Sequence, residues 1–89
     1  MKKPATAAEK RHMGRVAALG CLVCRRETQL HHIRDGVGMS QRSSHYLTIP
    51  LCIEHHLGDF SIHKSPREFK AIYGSELDML ADTIRRLEL

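Results

Sequence analysis

Six of the seven histidines and all three cysteines of this chain lie between Cys21 and His63. They run in the order Cys21-x-x-Cys24, His31-His32-Ile33, His45, Leu51-Cys52-x-x-His55-His56 and His63. Ligand spacing of this kind gathers distant backbone segments at one point, so it restricts the fold of a short chain strongly. At 89 residues the chain is expected to form a single domain, residues 1–89, because it is too short for two independent cores. Two Tyr, two Phe and no Trp leave little aromatic burial. A domain this small commonly needs a staple, such as a metal.

Three cysteines cannot all pair within one chain. Met1-Lys2-Lys3 is not followed by the apolar run of a secretory signal, and no segment approaches the roughly 20 apolar residues of a membrane span. The expected setting is the cytoplasm with reduced thiols and no membrane contact, where such spacing argues for metal over disulfide. A formal net charge of +4 favours polyanionic partners.

The pattern along the chain predicts an α+β fold. Residues 1–5 are expected to be disordered and 6–19 helical, with Thr6-Ala7-Ala8-Glu9 as a capping box and Gly20 as the stop. Lys10, Arg11 and Arg15 are expected on its other face, which is more often simply solvated than a DNA contact. Residues 21–63 read as a knuckle, two strands (Gln29–Ile33 and His45–Ile49) and a short helix that begins around Leu51 or Cys52, entered from Pro50, and falters near Gly58. The loop over 34–44 is longer than a tight turn needs. Residues 65–87 read as two helices. One starts at a second capping box, Ser65-Pro66-Arg67-Glu68, and ends at Gly74. The other is capped by Ser75, with Glu76 and Asp78 in its first turn and Arg85 and Arg86 in its last. Leu77, Leu80, Ala81, Ile84 and Leu87 recur at helical steps and are expected to face the core.

Two ligand sets follow from the spacing. Cys21, Cys24, Cys52 and His55 suit a closed tetrahedral zinc site, with His56 as the alternative fourth ligand. Knuckle, hairpin and helix joined by one zinc is the treble-clef arrangement. The second set is His31, His32, His56 and His63. Adjacent strand residues face opposite ways, so His31 and His32 divide the work: one ligates a metal and the other activates water.

These motifs resemble the HNH endonucleases, the zinc-containing ββα-metal nucleases. More narrowly, His31-His32-Ile33-Arg34-x-Gly36-x-Gly38-Met39 is similar to the phage recombination enhancement function (Ref) nucleases. Arg42-x-Ser44-His45-x-x-Thr48-Ile49-Pro50-Leu51-Cys52 and Ile62-His63 extend that likeness. The resemblance implies a ββα-metal core with His32 as general base, and with His31, His56 and His63 holding the catalytic metal. It places His45 near the middle position of the HNH motif, in an orienting role. It also implies DNA as substrate, the RecA filament as a partner, and a role in phage or prophage recombination within the bacterial host or infected cell.

A neutral imidazole near pKa 6.5 suits a base at His32. Three histidines suit Zn²⁺, Ni²⁺ or Mn²⁺ better than Mg²⁺, which would need phosphate and water to complete its shell. Arg34, Arg42 and Lys64 lie close enough in sequence to hold backbone phosphates. The same zinc site and basic surface would also serve a non-catalytic treble-clef module binding DNA or RNA.

Overall fold

In the computed structural model, which describes residues 4–36, 38 and 43–88, the first helix begins where its cap dictates. The Thr6 side chain accepts from the Glu9 N–H at 3.1 Å, and the Glu9 carboxylate accepts from the Thr6 N–H at 2.8 Å. Helix α1 then runs Ala7–Ala18. The expected disorder of residues 1–5 falls partly on residues 1–3, outside the described set; Pro4 and Ala5 lead into the cap without regular structure.

Gly20 turns the chain from α1 into the knuckle at φ +79°, and a Cβ there would sit 2.8 Å from the Arg25 carbonyl oxygen. The knuckle closes through the Cys21 N–H on Arg26 O and the Arg25 N–H on Cys21 O, both 2.9 Å. Strand β1, Gln29–His32, pairs antiparallel with β2, Thr48–Leu51, in the register His31↔Ile49 and His32↔Thr48. Among the described residues these two strands and four helices make up the regular structure, a small α+β fold.

The second strand lies later in the chain than the expected 45–49. His45 and Tyr46 form a turn, closed by the Leu47 N–H on Ser44 O at 2.9 Å. Pro50 belongs to the strand and does not start a helix. Its carbonyl accepts from the Leu22 N–H at 3.0 Å. A strand residue's N–H and C=O share an edge, so the missing proline N–H faces the knuckle and the β1 ladder is untouched. Helix α2 spans Ile53–Leu57, with Cys52, within the expected start, as its N-cap and Gly58 as its C-cap.

Helix α3 spans Pro66–Tyr73 and ends at Gly74, φ +97°. Its expected capping box does not form, because the Ser65 hydroxyl donates to Asp59 O at 2.7 Å. Helix α4, Glu76–Leu87, has the expected Ser75 cap, reciprocated by Asp78. It turns a different face inward from the one its periodicity suggests. Met79, Leu80 and Thr83 are buried, whereas Leu77 and Ile84 are about half exposed. Thr83 is accommodated because its hydroxyl donates to Met79 O at 2.9 Å. Glu76 lies four residues before Leu80 and seven before Thr83, so it shares their inward face.

The core joins Cys21, Ile33, Ile49, Leu51, Cys52, Phe69, Met79 and Leu80. Both helix ends are tied to each other where the Arg15 guanidinium donates to Leu87 O at 3.2 Å. No helix among the described residues is long and apolar enough to cross a membrane.

Candidate metal centres

The knuckle brings two sulfurs to one point and the start of α2 brings a third with a ring nitrogen. Cys24 Sγ lies 3.6 Å from Cys52 Sγ, and His55 Nδ1 lies 3.1 Å from Cys52 Sγ and 3.7 Å from Cys21 Sγ. All four ligand atoms are within 4.8 Å of one another. A tetrahedral ion with metal–sulfur bonds near 2.3 Å and a metal–nitrogen bond near 2.05 Å would place its ligands roughly 3.6–3.8 Å apart. The four groups are therefore close enough to hold a metal ion, and His55, not His56, is the fourth.

Electrostatics favour a thiolate at Cys21. Burial opposes ionisation of Cys21, but backbone contacts from Cys52, Cys24 and Val23 outweigh it, and its pKa falls to about 7. For Cys24 the Arg26 backbone acts to lower the value, while burial and the Cys52 and Cys21 sulfurs together raise it. The Tyr73 ring meets His55 edge-on at 5.8 Å.

The second cluster forms on the far side of α2. Adjacent helix residues are about 100° apart around the axis, so His56 points away from the thiols and toward β1. There His63 Nε2 lies 3.2 Å from His31 Nδ1 and 3.1 Å from His56 Nε2. A tetrahedral ion bound by three nitrogens near 2.05 Å would place them roughly 3.3 Å apart.

Tautomers follow from what lies behind each ring. His31 Nε2 is 2.5 Å from the Glu76 carboxylate, which can only accept, so a proton sits on Nε2 and in the neutral ring the Nδ1 lone pair faces His63. His56 Nδ1 is 2.9 Å from the Gln29 side-chain oxygen, which likewise leaves the Nε2 lone pair facing His63. Three ring nitrogens thus converge with two lone pairs fixed inward, an arrangement that a cation relieves. Burial, followed by the neighbouring His63 and His31, lowers the His56 pKa to about 4. Burial and then His31 also lower His63, with Glu76 acting in the opposite direction. Both rings are accordingly neutral and available as ligands at pH 7.

His32 faces away from this cluster, as strand alternation requires, and is half-buried. Its Nε2 lies 2.9 Å from His45 Nδ1. His45 reaches it from the turn before β2.

Of the candidate phosphate ligands, Arg34 lines a cleft of about 470 Å³ together with His31, His63, Lys70 and Glu76. Its guanidinium also donates to Gly38 O at 3.3 Å. Lys64 is exposed beside His63, with its side chain toward solvent. Arg42 lies outside the described residues. Gln29 and Glu76 are the residues that sequence reasoning missed as parts of the site. Glu76 was legible only as an acid in a helix first turn, and nothing local links it to a histidine 45 positions away.

No curated protein matches the chain. The profile of one family, described as a protein of unknown function (DUF968), matches residues 1–87. Both candidate metal centres lie within that match, and the chain belongs to the DUF968 family.

Proposed function

We propose that this chain is a metal-dependent DNA endonuclease of the HNH type, built on a zinc-stapled treble clef. The observation that carries the reading is the convergence of His31 Nδ1, His56 Nε2 and His63 Nε2, with oxygen acceptors behind two of the three rings. A centre of three histidines leaves coordination positions open, as a catalytic ion needs, whereas the thiol-rich centre is closed and suits structural zinc. A divalent ion held by His31, His56 and His63 would act as a Lewis acid toward a phosphate oxygen and the departing 3′-oxygen.

The protein's own groups do the rest. His32, on the adjacent strand position, takes a proton from the attacking water, and His45 fixes the orientation of that ring. Arg34 and Lys64, with Arg42, hold phosphates of the DNA backbone. The net charge of +4 supports a polyanionic substrate. The likeness to the Ref nucleases extends the proposal to DNA carrying a RecA filament, in the cytoplasm of a bacterial or phage-infected cell.

The test is cleavage of supercoiled plasmid and single-stranded circles by wild type and His32→Ala. Mg²⁺, Mn²⁺, Ni²⁺ and Zn²⁺ are compared, with and without RecA filaments. Wild type should cut, and the variant should fold normally yet lose about 10²–10⁴-fold in rate. Equal rates would remove His32 as base. No cutting by folded, metal-loaded wild type in any condition would replace the nuclease with a nucleic-acid-binding module.

A further inference from the structure

We infer that Glu76 is a positioning residue for the three-histidine centre, which makes helix α4 part of the site and not only part of the core. This inference rests on the reading of that cluster as a metal centre. The Glu76 carboxylate takes His31 Nε2 at 2.5 Å, the Arg34 N–H at 2.8 and 2.9 Å, and the Asp35 N–H at 2.8 Å. One side chain thereby holds a metal ligand and the start of the loop that leads to His45.

Geometry separates this role from two simpler ones. Glu76 is not the cap of α4, because Ser75 and Asp78 satisfy each other there at 3.0 Å. Nor does it bind the ion itself, since it lies on the far nitrogen of the His31 ring. The His31 side chain is 2% exposed and that of Glu76 17%, so solvent does little to weaken the contact. A carboxylate behind a ligating imidazole fixes the tautomer, locks the ring plane and raises the basicity of the nitrogen facing the metal. Loss of such a partner typically costs about 10–100-fold in metal affinity.

The experiment uses the full chain loaded with one zinc, titrated with Co²⁺ and followed by visible absorption and calorimetry. Wild type, Glu76→Gln and Glu76→Ala are compared. The expected result is Co²⁺ binding weakened about 10–100-fold in the alanine variant, with glutamine intermediate because it keeps one acceptor oxygen. The zinc-loaded, cobalt-free glutamine variant should melt like wild type, which a loop-stapling role alone would not combine with weaker cobalt binding. If the alanine variant fails to fold, the glutamine variant decides by the same criterion. Wild-type affinity in the folded variants overturns the inference. Absence of a second ion in wild type overturns it together with the metal-centre reading. Weakened Co²⁺ binding in a wild type and variant series that never cuts DNA sustains the inference and removes only the nuclease.

Discussion

His55 and His56 are neighbours in the chain and belong to different candidate metal centres. His55 stands three positions after Cys52 and shares its side of α2, whereas His56 turns toward His31 and His63. The two alanine variants should therefore fail differently. His55→Ala should lose the thiol-bound ion and with it a cooperative melt, because metal binding contributes directly to folding in domains this small. His56→Ala should keep both and lose the second ion. Metal analysis with thermal melting checks this, and the reverse pattern would show the assignment to be inverted. The low His56 pKa has its own consequence. Between its ordinary value of 6.5 and about 4, the unfolded chain takes up a proton that the folded chain does not. With the thiol centre loaded and the histidine cluster empty, this contribution is complete above pH 6.5. It is lost as pH falls toward 4. Melts between pH 7 and 4 should steepen in wild type relative to His56→Gln; parallel curves would contradict the shift. The clustering of Cys21, Cys24, Cys52, His55 and His56 was legible because Cys-x-x-Cys and Cys-x-x-His-His are local patterns. Glu76 was not, since its meaning comes from the face of α4 that packs inward.

At the scale of elements, the capping box of α1 and the Ser75 cap of α4 form as their sequences indicate, while the box at Ser65 does not. The difference is competition: the Ser65 hydroxyl has the Asp59 carbonyl within reach, a partner supplied by the preceding turn. The second strand slipped past its expected position for a related reason. Thr48-Ile49-Pro50-Leu51 is buried throughout, and a continuously buried strand carries no alternation to mark its ends. Gly20 is the element-level residue most open to test. Alanine there would need φ +79° and would bring Cβ to 2.8 Å from the Arg25 carbonyl. Gly20→Ala should cost at least about 1 kcal/mol, lowering Tm by about 4–8 °C or more in a domain of this size. An unchanged melt would mean that the knuckle relaxes freely, and with it the Cys21–Cys24 geometry.

Across the whole molecule, helices α1, α2 and α4 pack on one two-stranded sheet, and the shared core runs through Cys21 and Cys52 themselves. The thiol centre is thus continuous with the core, while the histidine centre opens beside the cleft between β1 and the start of α4. On the proposed function, stability and chemistry belong to separate ions in one small domain. That division is the central claim, and counting ions by native mass spectrometry tests it most directly, on wild type and His63→Ala after saturation with Zn²⁺. Two ions on wild type and one on the variant, the remaining one resisting mild chelation, is the predicted result. One ion on both proteins would contradict the account and leave the three histidines without a metal to hold.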